Sequence, residues 1–255
     1  MKERMETETM PMGRDRVVEL TGVTAPAGDR YAVGLADATL LLARGEAAVV
    51  VVPRTGLSTP LTDLCCGLEV PEAGTVRFLG RSWDERSNDQ VVRDRGRIGR
   101  IWPDPAWIGN LDIDENILLS QQHHTRRAKT ELREEALTLA RAFGLDDLPH
   151  TRPAWTPEAI RRKAQWVRAL MGMPALLLLE YPDDAVNEID HTRLVETVER
   201  ARKRGTAVIW MTARRDLDLA DRTGAVHQTE LTGPNLTWGP KQNTILEATK
   251  EKSCE

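Results

Sequence analysis

The residues that could bind a phosphate lie in one short segment between an apolar run and a predicted helix. Gly56, Ser58 and Thr59 follow the run AAVVVV (47–52), and the helical segment LTDLCC comes next. Backbone N–H groups at such a strand-to-helix turn can bind an anion, and a lysine usually reaches the outer phosphates. This segment has no lysine, and Pro60 removes one N–H group. We therefore predict an ordinary connection in which Ser58 or Thr59 caps the helix. The alternative is a weak anion site at the N-terminus of the helix.

Carboxylates follow a second apolar run, where metal or general-base chemistry could take place. The run ALLLL (175–179) ends in Glu180, and Asp183 and Asp184 come shortly after it. Tyr181 follows Glu180 directly, and a phenol with a pKa of about 10 is a poor base at neutral pH. The histidines have no spacing typical of metal ligands, so we predict no metal site and expect the histidines at the surface.

These residues need a scaffold, and the sequence predicts one in which strands alternate with helices. Helical spacing of apolar residues recurs in 132–143 and in 160–171. Short apolar runs flanked by such helices are typical of a largely parallel sheet with both faces covered. The predicted strands are Val17–Leu20, Ala47–Val52, Thr75–Leu79, Ile98–Trp102, Ala175–Leu179 and Ala207–Met211.

The distribution of these signals predicts how the chain is divided. The segments 15–111 and 155–240 form the α/β core, and 112–154, which has no strand signal, is predicted to be an inserted helical subdomain. We expect 1–14 to be a disordered tail and 241–255 to be a C-terminal tail.

Composition excludes several functions. A net charge of −4 and a pI near 5.8 argue against a nucleic-acid partner, because such proteins usually carry a basic surface. The first 14 residues have no apolar stretch of the kind found in signal peptides, and no apolar run is long enough to cross a bilayer. Three cysteines without ligand spacing favour a reducing compartment.

Four short motifs carry a resemblance to a known family: Cys66-Gly67-Leu68, Asp104-Pro105, Glu115-Asn116 and Arg168-Ala169-Leu170. With these framework residues, the chain from about Val17 to Trp238 resembles the nucleotide-binding subunit of ABC transporters. The resemblance implies a P-loop NTPase-like (ABC ATPase) fold, ATP and magnesium as possible cofactors, and a membrane permease as partner. It also implies a homodimer or a heterodimer with another ABC ATPase.

Aligned on those framework residues, the positions that handle ATP in the family are mostly replaced. The phosphate-binding loop retains Thr59, but Ser58 stands where its lysine is expected. Its glycines fall on Val52, Thr55 and Leu57. A Cβ at a position that needs a left-handed turn hinders close approach to an anion.

The other ATP-handling motifs of the family are also replaced in this sequence. Pro103 stands in the place of the Q-loop glutamine, Tyr181 in that of the catalytic glutamate, and Ala213 in that of the switch histidine. Glu180 takes the place of the Walker B aspartate and keeps a carboxylate. The family's signature falls on 156–160, which reads TPEAI and is better explained as a helix start with Thr156 as cap.

The sequence leaves two alternatives open for its aromatic residues. Ala27 falls where an aromatic ring stacks on adenine in the family, but Tyr31 is close in sequence. Trp102, Pro103 and Trp107 fall where a permease would dock, although core packing is an equal alternative for the two tryptophans.

We therefore predict a catalytically inactive cassette with a structural or regulatory role on a permease or a partner ATPase. Because a homodimer would have two impaired sites and a heterodimer would impair both shared sites, no ATP or magnesium is expected to be required. The resemblance implies a cytoplasmic location, peripheral at the inner face of the membrane. The alternatives are an ATPase with displaced catalytic groups, using Glu180, Asp183 and Asp184, and a free-standing interaction protein.

Overall fold

A computed structural model describes residues 15–52, 58–182, 184 and 186–213, and the backbone of 227–230. The predicted tails, Gly56, Thr55, Leu57 and Asp183 lie outside the described residues. The strands in chain order are β1 (Arg16–Ala25), β2 (Leu35–Ala43), β3 (Ala47–Val51), β4 (Ala73–Phe78), β5 (Arg81–Ser82), β6 (Ile98–Ile101), β7 (Leu176–Glu180), β8 (Ala207–Thr212) and β9 (His227–Glu230). The helices are α1 (Leu61–Cys65), α2 (Asn88–Arg95), α3 (Ile113–His124), α4 (Lys129–Ala142), α5 (Glu158–Leu170) and α6 (Glu188–Lys203), with a 3-10 turn at Pro153–Trp155.

The centre of the fold is a parallel sheet of five strands in the order β6-β7-β8-β3-β9. Strands β3, β7 and β8 are buried along their whole length. Continuous apolar runs such as AVVV and LLLL are what a strand needs when both of its faces are covered. The predicted α/β fold with a parallel sheet is confirmed.

A second sheet, which the sequence analysis did not predict, has four antiparallel strands in the order β2-β1-β4-β5. The sequence predicted only part of β1 and β4, and it did not predict β2. Strand β2 reads LADATLLLA, and its burial alternates from Ala38 to Ala43. Three consecutive leucines hide this alternation in the sequence, so the pattern does not indicate a strand by itself.

Two hydrophobic clusters lie on opposite faces of the parallel sheet. Alternate residues of each strand point to opposite faces, so Leu177 and Trp210 join the cluster under the helices, while Leu178 and Met211 join the cluster under the antiparallel sheet. Helix α1 belongs to the second cluster through Leu61. The strand ends are thus fixed between a helical layer and a β layer.

A glycine brings α5 close to the edge strand β6. A Cβ placed on Gly99 would lie 1.9 Å from the carbonyl oxygen of Ala169, which no real contact allows. The absence of a side chain at Gly99 therefore lets the end of α5 pack directly on β6. This contact positions Arg168, the preceding residue of α5, beside the residues that follow β6.

Helix α5 also supports the turn after β7. Trp166 is fully buried, and its ring packs edge-to-face on Phe143 with centroids 5.2 Å apart. Its indole Nε1 donates a hydrogen bond of 3.2 Å to the carbonyl oxygen of Pro182. The chain beyond Glu180 is therefore attached to the helical layer.

In the ranges that the structure describes, we find no helix with the length and apolar character needed to cross a bilayer. The same ranges contain no group of three or more histidine, cysteine or acidic side chains arranged to hold a metal.

Candidate functional site at the carboxyl ends of the parallel strands

Ligands of open parallel sheets bind at the carboxyl ends of the strands, so the residues at this edge determine the chemistry. Pro103 follows β6 by two residues, Tyr181 follows β7 directly and Ala213 follows β8 directly. The structure thus places at this edge the three residues that the sequence comparison singled out. Proline and alanine side chains can neither transfer a proton nor coordinate a metal.

Tyr181 has an unusual backbone conformation. Its φ angle is 48°, in the left-handed region that non-glycine residues rarely adopt. Its N–H donates a 2.9 Å hydrogen bond to the carbonyl oxygen of Met211, and its partly buried ring packs against the cluster under the antiparallel sheet. Such a conformation costs on the order of 1–3 kcal/mol and persists only when its surroundings fix it.

Glu180 is bonded to an arginine of the neighbouring strand. Its side chain is buried, and Arg100 Nε donates to its Oε1 at 2.8 Å. Arg100 also donates through Nη1 to Asp63 Oδ1 at 2.5 Å and through Nη2 to Thr62 Oγ1 at 2.8 Å. One guanidinium therefore joins β6, β7 and α1 at the strand edge.

A second guanidinium and a phenol complete this cluster. Arg30 Nη2 pairs with Asp63 Oδ2 at 3.0 Å, and the hydroxyl of Tyr31 donates to the same oxygen at 2.6 Å. The Arg30 guanidinium also lies 5.2 Å from the centroid of the Tyr31 ring. We call Arg30, Tyr31, Thr62, Asp63, Arg100 and Glu180 the strand-edge cluster. Tyr31, the open candidate for adenine stacking, is thus held by Asp63 and covered by Arg30.

Burial and charge act in opposite directions on the two carboxylates. Burial favours the neutral form of Asp63, but hydrogen bonds from Tyr31 and Arg100 and the charges of Arg100 and Arg30 hold its pKa below the usual range. Burial raises the pKa of Glu180, and Arg100 offsets this only in part. The pKa of Arg100 is raised despite its burial because Glu180 and Asp63 stabilise its charge, so Arg100 stays a cation.

The start of α1 differs from the sequence prediction. The helix begins at Leu61 after Pro60, with no side-chain cap, so the prediction that Ser58 or Thr59 caps it was wrong. Ser58 Oγ instead donates to the carbonyl oxygen of Arg30 at 2.6 Å. Thr59 Oγ1 is buried and has no hydrogen-bond partner among the described residues. The weak anion site at Gly56, Ser58 and Thr59 stays a prediction.

The predicted cap of α5 was also wrong by one residue. The helix runs from Glu158, and Pro157 rather than Thr156 precedes it. Thr156 Oγ1 donates to the carbonyl oxygen of Arg152 at 2.9 Å, so its hydroxyl stabilises the preceding 3-10 turn. Pro157, expected as the first helical residue, occupies the cap position instead, and Glu158 lies in the first turn as expected.

Cationic and aromatic side chains alternate from the strand-edge cluster towards the helices. The Arg100 guanidinium lies 5.1 Å from the ring centroid of Trp102, and that of Arg168 lies 5.5 Å from the same ring. Arg168 is also 4.4 Å from the centroid of Trp107. These distances fall within the range of cation–π contacts. Arg168 is therefore held between two indole rings.

This row of side chains borders a groove of about 460 Å³ between β6, α3 and α5. Trp102 and Arg168 line it, together with the exposed side chains of Ile108 and Leu119. Its lining also includes His123 and His124 and no carboxylate. Burial lowers the pKa of Arg168 to about 10, and its buried Nη2 has no partner among the described residues.

The three predicted docking residues have different positions. Trp102 lines the groove, whereas Trp107 is partly buried against the core under the helices, and Pro103 is exposed beside the groove. Sequence reasoning missed Arg100 and Arg168 as functional candidates. An arginine inside the apolar strand segment IGRIW was the available signal for Arg100, because a charge in a buried strand needs a partner.

The comparisons with known proteins agree with this fold. No protein-family model matches the chain. The chain is 28% identical over 187 residues to the "Probable ribonucleotide transport ATP-binding protein mkl" of Mycobacterium tuberculosis, covering 73% of this chain and 51% of the relative. It is 28% identical over 217 residues to the macrolide export ATP-binding/permease protein MacB of Burkholderia thailandensis. This match covers 80% of this chain and 33% of MacB. The chain thus spans about half of mkl and a third of MacB.

Solved structures with the same fold are ABC cassettes. The dimeric structure of MJ0796, a bacterial ABC transporter cassette, has a TM-score of 0.74 at 20% identity and covers 88% of this chain and 98% of that one. An ATP-binding subunit of an ABC transporter has a TM-score of 0.73 at 18% identity, and the match covers 88% of this chain and 90% of that one. The chain has the ABC ATPase fold and resembles ABC transporter ATP-binding proteins. A second MJ0796 structure is a dimer bound to ADP and Pi.

The strand edge of this cassette does not fit the magnesium ion that accompanies ATP in such folds. Mg²⁺ requires oxygen ligands in a near-octahedral arrangement at about 2.0–2.1 Å. Among the described residues here, Thr59 has an unengaged hydroxyl, but Pro103 offers no side-chain ligand. Thr62, Asp63 and Glu180 already accept hydrogen bonds from Arg100.

Proposed function

We propose that the chain is a non-hydrolysing ABC-type cassette that acts as a structural or regulatory subunit of a membrane transport system. The observation that carries this proposal is the chemistry of the strand edge. Pro103, Tyr181 and Ala213 follow three neighbouring strands, and Glu180 is neutralised by Arg100. Phosphoryl transfer depends on positioned charges and a group that orients the attacking water, and these residues supply neither.

The partner in this proposal is a membrane permease, alone or with a competent ABC ATPase. The groove beside Trp102 supports a docking role because Ile108 and Leu119 expose apolar surface there. Arg168 adds a partly buried cation without a carboxylate among the groove residues. A short partner segment with one acidic and a few apolar side chains would complement this surface. The site of action is then the inner face of the cell membrane.

ATP hydrolysis by the purified chain tests this proposal. We expect phosphate release in the presence of magnesium to equal that of a Glu180→Gln variant and of buffer alone, because the residues at the strand edge cannot activate water. Tyr181→Glu should also stay inactive, since Arg100 would still neutralise Glu180.

Turnover that depends on magnesium and is lost in Glu180→Gln would contradict the proposal. It would favour an ATPase with displaced catalytic groups. Of the carboxylates that the sequence offered for that role, Glu180 and Asp184 are among the described residues. A third role, a free-standing interaction protein, would be favoured if the chain never associates with membranes.

A further inference from the structure

The position of Arg100 suggests a role beyond the loss of hydrolysis. Its guanidinium lies between the end of β7 and helix α1, and its Nε, Nη1 and Nη2 each donate to an oxygen. These oxygens belong to Glu180, Asp63 and Thr62, a set of two carboxylates and a hydroxyl that suits a hard cation. We infer that Arg100 is a built-in cation that takes the place of a divalent metal and joins the sheet to α1 permanently.

The charges of the strand-edge cluster support this inference. Two guanidiniums, Arg100 and Arg30, face Asp63, Glu180 and the neighbouring Glu69, which pairs with Arg30, so these groups together carry a single net negative charge. Adding a divalent cation would leave excess positive charge in a buried region, which is unfavourable. The Arg100 and Asp63 side chains are each about one-tenth exposed, so solvent screens them weakly.

The geometry also explains why the cation has to be an arginine. A planar guanidinium can donate to several acceptors in fixed directions, whereas an ammonium acts as a point charge. Here the acceptors lie on two different elements, and Trp102 lies 5.1 Å from the guanidinium carbon. The side chain therefore bridges β7 and α1 while packing against an aromatic ring.

This inference concerns the same strand edge as the proposed function, but it is tested with metal alone and without ATP. The measurement is the thermal unfolding midpoint of Arg100→Met with and without millimolar magnesium chloride, compared with sodium chloride of equal ionic strength. Loss of Arg100 leaves two buried carboxylates without their shared cation, so R100M should unfold at a lower temperature than the wild type. Magnesium should then raise its midpoint by about 3 °C or more, the shift expected at tenfold excess over Kd.

Two comparisons and a substitute variant make the result decisive. The wild type should not shift, because Arg100 occupies the place of the metal. The double variant R100M/E180Q should not shift either, because it lacks a metal-binding carboxylate. If R100M does not fold, Arg100→Gln, whose amide can still hydrogen-bond, replaces it with the same expectation.

A wild-type shift as large as that of R100M would overturn the inference, and so would the absence of any shift in both Arg100 variants. ATP hydrolysis by the wild type would overturn the proposed function. The inference about Arg100 would still be decided by the magnesium-induced shift of the unfolding midpoint. The two failures are therefore distinguishable.

Discussion

Single residues at the strand edge determine what this cassette can do. Arg100 has no counterpart in the chemistry of ATP hydrolysis, yet it engages Glu180 and Asp63 at 2.8 and 2.5 Å. Breaking a buried ion pair by removing one partner costs about 3–5 kcal/mol, although the intact pair adds little net stability. Removing either charge from the strand-edge cluster is therefore costly, although the intact ion pairs add little net stability. This cost keeps the geometry of the strand edge fixed.

The ionisation of Asp63 leads to a prediction about stability and pH. Its pKa is lower in the folded protein than its value of about 3.9 in the unfolded chain. Between the two values the unfolded chain binds more protons, so this stabilisation is present above about pH 4 and is lost as the pH falls through the folded pKa. Asp63→Asn should therefore unfold below the wild type at neutral pH, and the gap should narrow below about pH 4.

Thermal unfolding of both proteins across this pH range measures the gap. The exposed Asp29 provides a matched control, since Asp29→Asn should follow the wild type at every pH. The raised pKa of Glu180 has the opposite effect on the slope, and loss of the Asp63 charge in Asp63→Asn removes one of the causes of that rise. A gap between Asp63→Asn and the wild type that stays constant into the acid range would contradict the assigned role of Asp63.

At the level of elements, the contact of α5 with β6 connects the strand edge to the groove. Gly99 allows the approach, and Arg168 is then held between Trp102 and Trp107. The same contact places Arg100, Trp102 and Arg168 in a row that leads outward from the strand-edge cluster. A partner that binds in the groove would therefore touch residues that pack against the strand-edge cluster.

The proposed docking on a permease predicts that Arg168→Glu releases the chain from the membrane fraction of its source cells. The substitution reverses the charge in a groove that contains no carboxylate, and an anchoring interface arginine is worth about 2 kcal/mol, so association should fall roughly tenfold or more. Co-sedimentation of the tagged chain with membranes provides the measurement. Arg141→Glu is the matched control, because Arg141 is exposed on α4 and does not line the groove.

Equal co-sedimentation of Arg168→Glu and Arg141→Glu would show that the groove is not the docking surface. If Arg168→Glu is poorly folded, Arg168→Met retains most of the aliphatic stem and tests the charge alone.

The elements also mark the limit of prediction from sequence. The buried strands β3, β7 and β8 were predicted because their apolar runs are continuous. Pro103, Tyr181 and Ala213 could be placed after β6, β7 and β8. Strand β2 was missed because three consecutive leucines hide its alternation in the sequence. The predicted caps were wrong because the hydroxyls of Ser58 and Thr156 bond elsewhere, while that of Thr59 is buried without a partner among the described residues. The partners of Arg100 could not be predicted, since Glu180 is 80 residues away in the chain.

At the level of the whole molecule, the fold is that of an ABC cassette, and Arg100 lies at the centre of its strand-edge cluster. The parallel sheet, the antiparallel sheet and the helical layer are all present among the described residues. At the strand ends, an internal guanidinium engages the carboxylates. Under the proposed function, the chain would bind its partners without carrying out ATP hydrolysis.

The most direct test of this account is the thermal unfolding midpoint of the wild-type chain with and without millimolar Mg-ATP. A ligand at a hundredfold excess over its Kd stabilises a protein by about 2.7 kcal/mol, or roughly 5–10 °C for a chain of this size. The account predicts no shift beyond that caused by salt. A rise of several degrees that requires both magnesium and ATP would contradict it, because it would mean that the strand edge still binds the metal–nucleotide complex.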